Sequence, residues 1–415
     1  MSDTMTMMRE TRASEPLLSA AAVRERCRLI ERWVADGKSA HFTLDESRLL
    51  AVADMVAQIT RETYPDLKVP PHSRWRHFTV GDIDRWALLS LMVGGETDID
   101  RARAAIDLAF VSVLLDAGAG DQWRYRETAT GKTFARSEGL AVASIDMFRA
   151  GAFSSDPDKP LQVDAEGLEA INADVLARHF QVAADNSLTG LEGRADLLRR
   201  LGRALAKNPS FFGAPTARPG HLVDYWLHAR PGARIEAAEL LATLLGALAP
   251  IWPSGLVHDC TPLGDAAHHP AIRPVHADAI VPFHKLSQWL TYSLIEPLEW
   301  AGIVVERLDG LTALAEYRNG GLLVDMGVIR PRKPLDIGEK HAVTSELIVE
   351  WRALTIVLMD RLLDPVRQRL GLSASFALPH MLQGGTWAAG RKVAMEKRPP
   401  NGPPPITVAA DGTVF

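Results

Sequence analysis

Residues 282–297, PFHKLSQWLTYSLIEP, hold the densest set of side chains able to do chemistry. On a helix, Lys285, Gln288, Tyr292 and Glu296 recur at about one-turn steps on one side, with Leu286, Leu290 and Leu294 on the other. Such a stripe either lines a pocket or forms a solvated face. Trp289 and Tyr292 weigh toward the pocket, because solvated faces are usually written in repeated Lys and Glu. Further on comes Glu316-Tyr-Arg-Asn-Gly-Gly-Leu-Leu-Val-Asp325, where Glu316, Arg318 and Asp325 bracket two glycines read as a turn. The alternatives there are a ligand approached by backbone N–H groups and a salt bridge on a turn.

Other strings carry weaker signals. His72-Ser-Arg-Trp-Arg-His-Phe78 alternates cations with aromatics, which fits binding of one phosphate as well as it fits internal ion pairs. In Arg136-Ser-Glu-Gly139, Ser137 is the expected helix N-cap and Glu138 belongs to the first turn. Gln383-Gly-Gly-Thr-Trp-Ala-Ala-Gly-Arg391 offers Thr386 as an N-cap, with Arg391 and Lys392 close behind, the composition of an anion site at a helix start. It lacks the endings of a phosphate-binding loop or a dinucleotide fingerprint. His258, Asp265, His268, His269, His276 and His284 cluster in sequence and raise a zinc hypothesis, although their spacing follows no standard ligand pattern and loop histidines are the commoner case. No G-x-S-x-G elbow occurs, and neither cysteine sits in a catalytic motif.

The elements that must position these residues are mostly helical. Val23, Cys27, Ile30 and Val34 recur at helical spacing before Gly37, and Leu49, Val52, Val56 and Ile59 do so within 45–63. Residues 236–249 and 345–370 read as helices too, the latter ended or kinked by Pro365. Strand signals are short: a hairpin over 122–137 around Gly131, runs at 303–307 and 322–328 about the Asn319-Gly320-Gly321 turn, and a hairpin at 406–415 around Asp411-Gly412. The expected fold class is mainly α with small accessory β-hairpins. A disordered leader is expected over 1–16, then one large helical domain over 17–415, with a weak lobe division near 208–219.

Composition bounds the function. The chain has 415 residues, 47% hydrophobic and 23% charged, which describes a globular protein. A net charge of −5 without a basic face argues against nucleic acid and anionic membranes as partners, leaving a small-molecule substrate. Two cysteines, Cys27 and Cys260, exclude a disulfide framework and suit a reducing, cytoplasmic setting. Neither a secretory signal nor a spanning segment is evident.

Taken as a set, the strings at 72–78, 136–140, 282–294, 316–321 and 384–391, with Leu191-Glu-Gly-Arg194 and Asp411-Gly-Thr-Val-Phe415, resemble the uracil catabolism protein 4 family from about residue 18 onward. Leu263-Gly-Asp-Ala-Ala-His-His269 departs from it, since Ala266 stands where a tryptophan is expected. The resemblance implies a place in a pathway that converts uracil to its nucleotide, opens the ring with a cyclohydrolase-like enzyme and releases urea by way of a ribosylurea. The step without an obvious enzyme is cleavage between ribose and urea. A fainter likeness, from Tyr292 through Pro297 and Gly302 to Arg318, is to queuosine nucleoside glycosidases and implies a DNA-glycosylase-like helical core. Thr291 stands where their acidic residue aligns, so that assignment does not carry across.

The expected activity is therefore N-ribosyl hydrolysis of ribosylurea, as its 5′-phosphate, with Glu316 and Asp325 as the carboxylates. Lys285, Gln288, Tyr292, Arg318 and Asn319 would orient the substrate. Arg74, Arg76, His77, Glu138 and Arg391 would also bind the substrate, the three arginines taking the phosphate. No cofactor is expected. Two alternatives stand beside this one. In the first, a zinc-dependent amidohydrolase uses His258, Asp265, His268 and His284. In the second, a non-catalytic protein contacts other uracil-degradation enzymes, the ring-opening one first.

Overall fold

The computed structural model describes residues 15–93, 97–229, 234–252 and 256–409. Among these, the helices of nine residues or more are α1 (Ala20–Ala35), α2 (Leu49–Thr63), α3 (Asp98–Leu114), α4 (Arg136–Arg149), α5 (Leu191–Lys207), α6 (Ala237–Leu248), α7 (Lys285–Trp300), α8 (Tyr317–Asp325), α9 (Glu346–Leu370) and α10 (Trp387–Lys397). Sheet is confined to two-stranded pieces. The chain thus adopts the mainly α fold with minor β that its periodicity foretold.

Helix α1 starts where the Ser19 hydroxyl accepts the Ala22 N–H, and its Val23, Cys27, Ile30 and Val34 stripe is buried, partly against α9. Most of the leader lies outside the described residues, but Glu15–Leu17 forms a 3-10 turn and Leu17 packs on Leu263, Ala266 and Ile280. Helix α9 runs on through Pro365 to Gly371, which ends it at φ +72°. Pro365 does not end it: the flanking Leu362 and Val366 are fully buried, and that packing offsets the roughly 3 kcal/mol cost of an interior proline. The stretch 208–219 is well packed. Phe212 is buried in the same hydrophobic cluster as Leu205 and Leu222, and Arg218 is bonded to Asp107 of α3.

The 122–137 hairpin forms, pairing Tyr125–Arg126 with Thr133–Phe134. The strand expected at 303–307 is present as Val304–Glu306, but its partner is Arg234–Glu236, in parallel. Residues 322–328 are not a strand. Glycines 320 and 321 lie inside α8, and a Cβ at Gly320 would come within 2.7 Å of Trp351 and Thr355. The glycine serves close helix packing rather than a turn, and Leu322 and Leu323 bury behind it. Thr407–Val408 pairs in parallel with Lys340–His341 rather than within a terminal hairpin, whose Asp411-Gly412 turn lies outside the described residues. No helix among the described residues is long and apolar enough to cross a membrane.

Candidate active site

Lys285 opens α7, one residue after His284, which holds the left-handed conformation at φ +51°. That conformation is costly for a residue with a Cβ, and the surroundings enforce it. His284 Nε2–H donates to the Leu17 carbonyl at 2.9 Å. Asp265 accepts the Lys285 N–H at 2.9 Å and both terminal nitrogens of Arg352 at 2.8 and 2.6 Å. Burial pushes the Asp265 carboxyl up, but the Arg352 charge and hydrogen bonds, with the Lys285 N–H, together outweigh it and the net direction is downward.

Glu316 caps α8. Its Oε2 accepts the Arg318 N–H at 2.7 Å and its Oε1 the Asn319 N–H at 2.6 Å. The loop before it is gripped by the polar stripe of α7. Gln288 donates to the Thr312 hydroxyl and accepts the Thr312 N–H at 3.2 Å, while the Tyr292 hydroxyl donates to the Thr312 carbonyl at 2.6 Å. Gln288 and Tyr292 are thus buried positioning residues, and the stripe is neither a pocket wall nor a solvated face along its middle.

Burial raises the Glu316 carboxyl above its ordinary value, against the two N–H donors and the Lys285 charge. Burial likewise lowers the Lys285 ammonium, with Glu316 and Asp116 acting in the opposite sense. Asp116 lies just past the end of α3 and accepts from Arg74 and from the Ser137 hydroxyl, each at 2.7 Å. It also bears on Tyr317, whose phenol burial pushes up. Two carboxylates from different elements therefore act electrostatically on one half-buried lysine. Asp116 was missed in the sequence because it is a lone acidic residue after an apolar helix, and only its partners mark it.

The N-terminus of α4 contributes the wall beside Asp116. Ser137 is not the N-cap. Ala135 holds that position, Arg136 is left-handed at φ +54°, and the Ser137 hydroxyl is committed to Asp116. Glu138 is in the first turn, as expected, and lies 3.6 Å from Arg391, which is 54% exposed and close to the Trp387 ring. Arg74 is buried, donating to Ser112, His77 and the Ser137 carbonyl, and its Nη2 has no hydrogen-bond partner. His77 accepts from Arg74 through Nδ1, and burial together with the Arg74 charge holds it well below the usual histidine range.

Other nominated residues are engaged elsewhere. Asp325 is held by both terminal nitrogens of Arg398 at 2.8 and 2.5 Å, at the far end of α8 from Glu316. With about 1.5 Å of rise per residue, the two carboxylates are roughly 13 Å apart along the axis, too far to share one anomeric carbon. Arg76 pairs with Glu296 at 2.5 Å, the internal ion-pair alternative for its string. Arg318 donates to the Gly402 carbonyl at 3.0 Å and anchors the proline-rich connector, while Asn319 Oδ1 is buried and without a partner. Thr386 caps nothing, since Leu382–Thr386 is a π-helical turn continuous with α10, so the expected anion site at a helix start does not form. Gly385 in that turn packs on α2, where a Cβ would meet the Val56 carbonyl at 2.6 Å.

The metal set expected as an alternative does not converge. Asp265 is taken by Arg352, His284 by Leu17, His258 lies beside Asp259, and His268 is exposed on its strand. Among the described residues, His269, Glu346 and Glu350 are the His and carboxylate group with metal-compatible spacing.

These contacts define a helical protein in which a half-buried acid, a half-buried lysine and an arginine-held aspartate, from the starts of two helices and the end of a third, act on one another electrostatically. Comparison with known proteins places it further. The chain belongs to the family described as "Protein of unknown function (DUF1688)", whose model matches residues 16–415. It is 40% identical over 409 residues to "Protein urg3" of Schizosaccharomyces pombe, covering 96% of this chain and 98% of that one. It is 38% identical over 432 residues to "Uracil catabolism protein 4" of Lachancea kluyveri, again covering 96% and 98%. The family resemblance read from the sequence strings is the one these relatives bear.

Proposed function

We propose that this chain acts in uracil catabolism as an N-ribosyl hydrolase, cleaving ribosylurea 5′-phosphate to urea and ribose 5-phosphate. The relative's name supplies the pathway. What supports the chemistry is the electrostatic pull of Glu316 and Asp116 on the half-buried Lys285, beside the fixed geometry of the Glu316 cap and the Arg74–Asp116 pair. Breaking the bond between C1′ and the urea nitrogen builds positive charge on the ribose and negative charge on the leaving nitrogen. Asp116, fixed by Arg74 and Ser137, is suited to stabilise the first and to orient the attacking water. Glu316, its carboxyl raised by burial, is suited to give its proton to the second. Water supplies a hydroxyl to C1′ and a proton that restores the acid.

Lys285 and the open Oδ1 of Asn319 are the groups offered to the urea oxygen and its N–H bonds. Arg391 and the unpartnered Nη2 of Arg74 are the phosphate groups left once Arg76 is committed to Glu296. The test is to incubate the purified protein with synthetic ribosylurea and with its 5′-phosphate and to follow urea release. Release from the phosphate alone is expected. Equal release from both overturns the phosphate assignment. No release from either overturns the hydrolase reading in favour of a binding role.

A further inference from the structure

His269 and Glu350 face one another in the interior with nothing between them to settle their charges. His269 Nε2 lies 3.5 Å from Glu350 Oε1, both side chains are fully buried, and neither atom has a hydrogen-bond partner. Leaving a buried carboxylate oxygen unmet is expensive. One turn earlier on α9 stands Glu346, and one ligand atom from each of His269, Glu346 and Glu350 falls within 4.8 Å of the others. His41 Nε2 is 4.0 Å from Glu346 Oε1 and adds a fourth donor at the exposed side.

We propose that His269, Glu350 and Glu346, completed by His41 or water, form a binding site for one zinc-like divalent ion. Metal–donor bonds of about 2.0–2.2 Å in tetrahedral geometry put neighbouring donors roughly 3.3 Å apart, close to the His269–Glu350 separation. Glu346 is solvent-exposed, so its carboxylate is free to swing inward. One or two imidazoles with two carboxylates select zinc or a similar transition ion over calcium or magnesium.

The supporting groups are already built. The second oxygen of Glu350 accepts from the Ser39 hydroxyl at 2.6 Å, and Ser39 Oγ accepts the His41 and Phe42 N–H groups at 2.9 Å each. Nδ1 of His269 meets the Ala271 N–H at 3.2 Å, which places the ring proton on Nε2 in the empty site. Metal on Nε2 requires that proton either to move to Nδ1, which opens the Ala271 contact, or to be released to solvent.

The ion would tie α9 to the end of the Ala266–His268 strand, which begins next to Asp265, the residue holding the Lys285 N–H. Its role in this reading is to brace the lysine rather than to meet substrate.

The test uses untagged full-length protein, stripped with chelator, dialysed and titrated with zinc, then with cobalt for its visible absorption. Metal content and the quenching of Trp33, whose ring is 6.3 Å from that of His269, report binding. The expected result is one ion per chain, with Glu346→Gln weakening affinity at least tenfold while the stripped variant melts as stripped wild type does. His269→Gln abolishes binding, and His268→Gln, on the exposed neighbour, leaves it unchanged. Should His269→Gln fail to fold, Glu346→Gln decides by itself. No stoichiometric binding by wild type, or equal binding by wild type and Glu346→Gln, overturns the site and leaves a buried His–Glu ion pair.

Discussion

Glu316→Gln separates the structural work of this side chain from its chemistry. Each carboxylate oxygen takes one backbone N–H, from Arg318 at 2.7 Å and from Asn319 at 2.6 Å. Glutamine keeps the shape and one acceptor, but its amide NH2 then faces the other N–H. The loss is that of a weakened cap, about 1 kcal/mol. Removing a proton donor to the leaving nitrogen costs about 10²–10⁴ in rate, equivalent to roughly 3–5 kcal/mol of barrier.

The two losses differ enough to be read apart. Turnover is measured by urea release at saturating substrate, and stability by guanidinium unfolding. The expected variant is folded, about 1 kcal/mol less stable and at least 100-fold slower. Wild-type activity in turnover should decline as pH rises through the raised Glu316 value, and the variant should lack that limb. A folded variant whose turnover stays close to wild type would reduce Glu316 to a helix cap and refute the argument.

Further expectations concern the framework. Asp265→Asn removes a buried partner of Arg352, so unfolding free energy should fall by about 3–5 kcal/mol; a loss below 1 kcal/mol would show that the Arg352 pair does not organise the start of α7. His72 is buried against Trp289, and burial lowers it from 6.5 to about 4. The unfolded chain therefore takes the proton first, and the native state loses about 3 kcal/mol from this group as pH falls from 6.5 to 4. His72→Gln should flatten the pH dependence of unfolding over that window, and an unchanged slope would contradict the buried neutral ring.

Local periodicity determined much of this protein by itself. The 3.6-residue stripes of α1, α2, α6 and α9 are visible as apolar spacing, because each helix buries one face and its sequence must say so. The strings that carry the family resemblance also singled out Lys285, Glu316, Arg74 and Glu138, whose surroundings the structure supplies. What those side chains touch was not written locally. Gly320-Gly321, read as a turn, and Gly384-Gly385, read as preceding a helix start at Thr386, are packing glycines inside helical segments, since an absent Cβ looks the same whether it frees a turn or admits a neighbouring helix.

Charges posed the same difficulty. Asp325, Arg76 and Asp265 looked available until Arg398, Glu296 and Arg352 were brought against them from 73, 220 and 87 residues away. Asp116 gained significance only when Arg74 and Ser137 met it. A side chain's type and neighbours in sequence set what it can do. Which charge is neutralised, which hydroxyl is committed and which carboxylates act on a half-buried lysine are long-range pairings, and only the tertiary structure decides them.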